Sequence, residues 1–458
     1  MPLIFKNKKT LVVGLGKTGM ALVSFVLGQG ARVLVSDSRE VSEIEALLAP
    51  FLAKGASLVW EGGGHSEVFF SKAEVILVSP GIPLDLPALE AAREKGIPIW
   101  GEVEVFAQYS KTPVVAVTGT NGKTTTTALL NEMLVRSGKN TYLGGNIGQP
   151  LVDYLLGGQG RDLVVAEISS FQLDTTVSFA PEVGLLLNIS ADHLDRYADF
   201  NAYAASKASL FRNQKAGDAA VICWDDPLCR AVGEKLSGPV YYYSRKEKVS
   251  LGAYLRGTRG HICLEGPAEE YELEGLKLPG THNQENALAA ILGARLMGAE
   301  PDAVQQGLVS FKGFGHRLEF VAEVKGVNFY DDSKATNVGA VDKALEGFDQ
   351  PVILIAGGRD KGGDYYPLEE MVKAKVKALI LIGEAKERIK GQLGWITQTE
   401  EATSLPEAVR LAAKLGRPGD VVLLSPACSS FDMFRDYAQR GKVFQEEVRA
   451  LEGEALHE

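Results

Sequence analysis

Three times along the chain a short run of aliphatic and β-branched residues leads directly into a glycine-rich turn and then into a helical pattern. Thr10–Val13 precedes Gly14-Leu15-Gly16-Lys17-Thr18-Gly19, Val114–Thr118 precedes Gly119-Thr120-Asn121-Gly122-Lys123-Thr124, and Val352–Ala356 precedes Gly357-Gly358-Arg359-Asp360-Lys361-Gly362-Gly363. Strands with no polar face belong inside parallel sheets covered by helices, so the repetition predicts an α/β architecture built as three units. The length of 458 residues agrees, since one ordinary domain takes about 150. Fifty glycines, about 11% against a usual value of roughly 7%, mark places where backbone turns tightly or approaches a ligand.

The first unit continues through a helix over Thr18–Leu27 and a strand over Arg32–Ser36, and closes near Ser110 to Pro113. In the second, strands are expected at Leu163–Ala166, Val183–Ile189 and Ala220–Trp224, with a polar β-meander or loop over Ser244–Glu274. The third begins around Lys312 to Gly315 and adds strands at Ala378–Ile382 and Val421–Leu424. No short-period repeat or low-complexity linker separates them, so brief hinges are expected.

Charge narrows the function classes. Against 58 acidic residues stand 48 Lys and Arg, a net charge of -10, which argues against broad attraction to nucleic acid or anionic membranes. An anionic ligand must therefore be held by local design. A hydrophobic content of 45% with 23% charged residues describes a soluble globular chain. Cys223, Cys229, Cys263 and Cys428 show no CxxC spacing, as in a reducing compartment. Lys17 and the glycines interrupt the early apolar stretch, and nowhere do about 18 apolar residues run together, so a cytoplasmic location without integral membrane association is expected.

Several motifs carry chemistry. The Gly14 loop, with Asp37 ending the next strand, has the context of a dinucleotide fingerprint, in which backbone meets a pyrophosphate and the acid meets a ribose or base. It does not fix the nucleotide, and a nicotinamide cofactor stays open on this motif alone. Gly119-Thr120-Asn121-Gly122-Lys123-Thr124 lacks full Walker A spacing, yet its ending places amides and an ammonium at phosphates and a hydroxyl at magnesium. Glu167, at the end of a neighbouring strand, suits a metal. Asp192-His193-Leu194-Asp195 follows the next strand, and Lys207 lies in an Ala-rich helical segment. Asn283 and Asn286 suit either a purine edge or turn and cap roles. His316-Arg317 and Asp331-Asp332-Ser333-Lys334-Ala335-Thr336-Asn337 crowd polar groups into short loops. Ser425-Pro426-Ala427-Cys428-Ser429-Ser430-Phe431-Asp432 offers hydroxyls and an expected helix N-terminus for a carboxylate; Cys428 has no base near it in sequence to make it a nucleophile.

Together these runs resemble the Mur ligase family. GLGKTG, SPGIP, TGTNGKTT, GGNIG, EISSFQLD, DHLDRY, HNQENALAA, HRLE, DDSKATN, GGRDKG and SPACSSFD occur in order across nearly the whole chain. GTNGKT alone marks a wider group that includes folylpolyglutamate synthases; the later runs are more specific. The resemblance implies three domains: a Rossmann-like one over residues 1–110, a central P-loop ATPase with a parallel sheet over 111–312, and a Rossmann-like one over 313–458. It implies an ATP-dependent amide ligase acting through an acyl phosphate, with UDP-N-acetylmuramoyl-L-alanine and D-glutamate as partners and a monomeric chain. Lys17, Thr18, Asp37 and Ser38 would line the uridine nucleotide, with Gly145, Asn146 and Gln172 nearer the muramoyl end. Gly119, Thr120, Asn121, Gly122, Lys123, Thr124 and Thr125 would cradle ATP phosphates, and Thr124, Glu167, His193 and Lys207 would hold magnesium at two sites, Lys207 as a carbamate. Asn283 and Asn286 would approach adenine, Arg317 and Asp331 the phosphate and ribose side, and Lys334 the reacting region. D-glutamate would meet Thr336, Lys361, Ser430, Phe431 and Tyr437.

Overall fold

The computed structural model describes residues 4–457 apart from 193–195, 275, 277, 279, 312, 314 and 361, with the side chains of 454–457 also left aside. Its strands are β1 Lys9–Val13, β2 Arg32–Ser36, β3 Leu58–Glu61, β4 Val75–Val78 and β5 Ile99–Trp100. They are followed by β6 Val114–Thr118, β7 Thr141–Gly145, β8 Leu163–Glu167, β9 Val183–Leu186, β10 Ala219–Cys223, β11 Val240–Ser244, β12 Gly252–Arg256, β13 Arg259–Cys263 and β14 Glu269–Glu272. The last are β15 Glu319–Val324, β16 Val327–Asp331, β17 Val352–Gly357, β18 Val376–Ile382, β19 Gln398–Glu401 and β20 Val421–Leu424. They form three sheets, in the orders β3-β2-β1-β4-β5, β14-β13-β12-β11-β10-β9-β6-β8-β7 and β15-β16-β20-β17-β18-β19. Met1–Glu272 with Ala287–Gly307 make one compact unit holding the first two sheets, and Leu273–Asn286 with Leu308–Glu458 make another holding the third.

The first sheet is parallel throughout. The second is parallel from β7 across to β12 and then ends in an antiparallel meander of β13 and β14, in the stretch where a meander or loop was expected. The polar 244–274 stretch therefore extends the central sheet, because strands reversing through tight turns need no covering crossover helix. The third sheet likewise carries one antiparallel edge strand, β15 on β16.

Alternation along the third sheet's strands divides its core into two layers. Leu354, Leu379, Leu381 and Leu423 face one layer, while Ile353, Ile355, Ile380, Val422 and Leu424 face the other. Each fully buried aliphatic side chain contributes about 1.5–3 kcal/mol, which explains why the central strands β17 and β20 contain no polar residue. In the first unit Leu11, Val13, Ile76 and Val78 form the corresponding face of the first sheet.

Strand order also decides where ligands meet the chain. β1 lies between β2 and β4, β6 between β8 and β9, and β20 between β16 and β17. At such reversals of winding the connections leave in opposite directions and open a crevice at the strand C-termini. The Gly14 and Gly119 loops leave from two of these points, and at the third the loop after β20 runs beside the Gly357 loop after β17, where Arg359 N–H donates to Ser429 O at 2.9 Å. No described helix is long and apolar enough to cross a membrane.

Candidate active site

The Gly119 loop is shaped by two glycines in the left-handed range, Gly119 at φ +150° and Gly122 at φ +84°. Gly122 opens the helix Lys123–Arg136 with no side-chain cap, so its first N–H groups and the positive end of the helix dipole face the loop. Asn121 is pinned both ways, its N–H donating to Asn188 Oδ1 at 2.8 Å and its carbonyl accepting from Asn188 Nδ2 at 3.0 Å. Thr120 Oγ1 accepts from Ser190 N–H at 3.0 Å and lies 3.1 Å from the Tyr203 hydroxyl. Thr124 and Thr125 follow in the first turn of the helix, Thr125 buried. Asn188 and Tyr203 were not foreseen; the position of Asn188 at the end of the neighbouring strand was the available signal.

Two lysines converge on this loop. Lys123 Nζ donates to the carbonyls of Gly119 at 2.9 Å and Thr120 at 2.8 Å. Lys207, only 2% exposed, reaches Gly119 O at 2.8 Å from the helix Phe200–Ala208, its Nζ 4.5 Å from the centre of the Tyr203 ring. Burial, reinforced by Lys123, holds the Lys207 pKa well below the ordinary lysine range and so favours the neutral amine. That is the form with a lone pair able to add carbon dioxide.

Glu167 ends β8 opposite Val117 of β6. It is 2% exposed, and its Oε1 accepts from Asn146 Nδ2 at 2.7 Å, while Oε2 is buried with no hydrogen-bond partner among the described residues. An orphaned carboxylate oxygen beside a phosphate loop costs stability unless a ligand satisfies it, and its chemistry fits a hard cation such as magnesium. Gly145 must be glycine here, since a Cβ would lie 2.3 Å from Glu167 O. Asn146 N–H donates to that same carbonyl at 2.8 Å. His193 lies outside the described residues.

Gln172 belongs to a capping box with Ser169 at the start of the helix Ser170–Leu173. Its Nε2 donates to Glu102 Oε1 at 2.7 Å. Lys17 Nζ reaches Gly148 O at 2.5 Å, which brings the first glycine loop to the turn after β7 and hence toward Gly145 and Asn146. In that first loop Asp37 Oδ2 accepts from Leu15 N–H at 2.6 Å and from Arg39 at 2.6 Å. The Arg39 guanidinium holds the Asp37 carboxyl well below the usual range. Gly19 is obligatory, because a Cβ would sit 1.8 Å from Gly14 O; this is the close helix–strand approach such loops require. Thr18 is half-buried and Ser38 exposed.

In the second unit Asp331 is fully buried and receives His316 Nδ1 at 2.6 Å, Gln445 Nε2 at 2.9 Å and Ser333 N–H at 2.9 Å. Asp331 raises the His316 pKa. His316, Glu319 and Asp331 have the proximity of a cation site, but Gln445 also donates to Glu319 Oε2 at 2.8 Å, so the cluster is held together by its own hydrogen bonds. Burial pushes the neighbouring Asp332 up to about 7, against a donor bond from Ser425 and the charge of Arg317. Lys334 Nζ stands 3.9 Å from the centre of the Tyr437 ring. Asn283 and Asn286 are buried in the opening turns of the helix Thr281–Leu296 and pair through Nδ2 and Oδ1 at 3.2 Å.

The loop after β20 differs from expectation, for the chain passes through turns after Ser430 and becomes helical only at Tyr437. Ser430 is buried, Phe431 is 64% exposed, and Thr336 is half-buried. Lys361 lies outside the described residues. Arg440 was missed: 1% exposed, it donates to Ser333 Oγ at 2.9 Å, Ser333 O at 2.7 Å and Cys428 O at 3.1 Å. Nothing in a sequence distinguishes such an arginine from the exposed ones of a C-terminal helix.

Comparison with known proteins adds three matches to family profiles: the Mur ligase MurD-like N-terminal domain over residues 8–101, the Mur ligase middle domain over 117–294, and the Mur ligase glutamate ligase domain over 316–428. The chain is 45% identical over 450 residues, 98% of each chain, to the UDP-N-acetylmuramoylalanine–D-glutamate ligase of Geotalea daltonii. It is 47% identical over 453 residues to the protein of that name from a Geobacter species, covering 98% of this chain and 99% of the relative. Among solved structures, a pseudomurein peptide ligase type C from Methanothermus fervidus shares the fold with a TM-score of 0.62 at 20% identity, covering 97% of this chain and all of that one. A MurF ligase from Thermotoga maritima in complex with ADP gives a TM-score of 0.58 at 17% identity, covering 98% of this chain and 96% of that one.

Proposed function

The chain belongs to the Mur ligase family, and from that premise we propose that it joins D-glutamate to UDP-N-acetylmuramoyl-L-alanine at the expense of ATP, in the cytoplasmic synthesis of peptidoglycan precursors. The observation that carries this reading is similarity over 98% of the chain to ligases named for that reaction. Residues 1–110 take the uridine nucleotide, 111–312 take ATP and 313–458 take the amino acid, in a monomer.

A carboxylate is too weak an electrophile to acylate an amine. Its oxygen first attacks the γ-phosphorus of ATP, the bond to the bridging oxygen breaks, and ADP leaves with an acyl phosphate formed. The D-glutamate nitrogen then attacks the acyl carbon, inorganic phosphate departs, and the nitrogen gives up its proton. The first step brings anions together, so catalysis depends on placing positive charge along an in-line path. The helix Lys123–Arg136 directs its opening N–H groups at the phosphates, and Lys123 exchanges its two loop carbonyls for phosphate oxygens. Asn188, by fixing Asn121, holds the loop open for them.

Magnesium, when bound, neutralises phosphate charge; Thr124, Glu167, His193 and, as its carbamate, Lys207 would hold it at two sites. Glu167 brings to this task the orphaned Oε2. In the carbamate, the Lys207 nitrogen adds to carbon dioxide and loses a proton, keeping one N–H for Gly119 O. Lys334 serves the reacting region, Arg317 and Asp331 the nucleotide, Asn283 and Asn286 the adenine, and Thr336, Lys361, Ser430, Phe431 and Tyr437 the D-glutamate. Mass spectrometry of a reaction with ATP, UDP-N-acetylmuramoyl-L-alanine and D-glutamate tests the proposal: the UDP substrate gains one glutamyl residue, and an unchanged mass with full ATP present would defeat it.

A further inference from the structure

Gln172 has most of its hydrogen-bonding capacity committed inside the protein. Oε1 accepts from the backbone N–H and the hydroxyl of Ser169, both at 2.9 Å, and Nε2 donates to Glu102 Oε1 at 2.7 Å. An amide oxygen has two lone pairs and an amide nitrogen two hydrogens, so one N–H remains for a ligand, its direction dictated by the other three bonds. Glu102 decides which end of the amide faces where, because an ionised carboxylate only accepts and must therefore face Nε2. Its second oxygen accepts from Val152 N–H at 3.3 Å. A single carboxylate, 1% exposed, thus ties the helix Glu102–Tyr109 both to the segment carrying Gln172 and to the short helix Leu151–Asp153, which follows the turn carrying Asn146.

We infer that Glu102 is a positioning residue for the UDP substrate, fixing the amide of Gln172 and the start of the short helix Leu151–Asp153 so that Gly145, Asn146 and the remaining Gln172 N–H are presented together to the muramoyl end. This deepens the ligase reading and rests on it. Glu102 touches no reacting atom; it acts through Gln172 and that helix.

Burial pushes the Glu102 carboxyl up to about 7. The ionisable groups around it are Asp153 and Tyr154 from the residues following Val152, Tyr142 from β7, and Glu104 on its own helix; Lys17 offsets Asp153. Ile99–Trp100 and Ser170–Leu173, which also pack on this helix, bring no ionisable side chain. Protonation puts an O–H where Gln172 or Val152 needs an acceptor, so positioning is lost as pH falls through about 7.

Steady-state kinetics of the full chain, with ATP and D-glutamate saturating, test the inference through Glu102→Gln and Glu102→Asp. For Glu102→Gln, KM for UDP-N-acetylmuramoyl-L-alanine rises about tenfold or more, the scale of effect that misplaced binding groups produce. KM for ATP stays within about twofold, and the inflection near pH 7 in kcat/KM for the UDP substrate disappears. Glu102→Asp keeps the charge, so it gives an intermediate KM and retains an inflection. An unchanged KM and pH profile in a folded Glu102→Gln enzyme overturns the inference. If that variant does not melt cooperatively, Glu102→Asp decides: a wild-type KM with no inflection overturns it. Wild-type enzyme that does not turn over the UDP substrate instead removes the ligase reading, and this inference with it.

Discussion

Replacing Arg440 with methionine removes a buried cation that fastens the loops of Ser333 and Cys428 together. Its three hydrogen bonds, to Ser333 Oγ, Ser333 O and Cys428 O, run from 2.7 to 3.1 Å. Bonds from a charged donor contribute about 1.5–3 kcal/mol each, but the guanidinium gives back part of this in lost hydration. That cost is visible in its pKa, which burial lowers to about 10. Methionine fills most of the volume and restores no donor, leaving two carbonyls and a hydroxyl buried. The net loss is then about 2–6 kcal/mol, about 1–3 kcal/mol for each of the two carbonyls left without this donor. For a unit of this size, each kcal/mol moves the midpoint by roughly 2–4 °C, so Tm drops by about 10 °C. Differential scanning calorimetry reads the shift. Because the same bonds tie the segment of Ser333 and Lys334 to that of Cys428 and Ser430, KM for D-glutamate should rise about tenfold in parallel under the proposed function. A Tm within about 2 °C of wild type would refute the reasoning, since orphaned buried carbonyls cannot be that cheap.

Other perturbations read different parts of the molecule. Lys123→Ala abolishes phosphate release, with a loss of at least about 3 kcal/mol in transition-state stabilisation by analogy with a missing oxyanion donor; near-normal rates would overturn the phosphate assignment. Lys207→Met also loses turnover, because no carbamate can form, and a fully active variant would dismiss that modification. The buried Asp332 and Glu102, both shifted up to about 7, bind more protons in the folded than in the unfolded chain between their ordinary pKa values and about pH 7. Wild-type stability therefore falls as pH rises through that window, and chemical denaturation should show a shallower decline in Asp332→Asn; an equal or steeper one would contradict the assignment.

The parts of this fold that were legible in sequence are those with a local cause. Val114–Thr118 and Val421–Leu424 are exact in the structure because uninterrupted aliphatic runs between turns admit few other conformations. Lys9–Val13 begins one residue before the expected strand, and Lys17–Gly28 runs one residue beyond the expected helix at each end. Edge strands such as Gln398–Glu401, whose sequence is QTEE, carry no apolar signal, since pairing on one side alone holds them in place. The loops bearing Lys17, Lys123, Glu167 and Asp331 were recognisable because glycine, amide and carboxylate clusters have no role in a core. Asn188, Glu102, Arg440 and Gln445 were not: each acts across a long stretch of sequence, and its importance lies in burial and partner geometry that only folding creates.

In the proposed reaction, ATP cleavage is coupled to joining D-glutamate with the UDP substrate. Phosphate release measured while each component is withheld in turn tests it most directly. Release should require ATP, UDP-N-acetylmuramoyl-L-alanine and D-glutamate together, with one phosphate for each glutamyl product. Release that proceeds at the full rate without D-glutamate, or that follows a different amino acid in its place, would contradict the account.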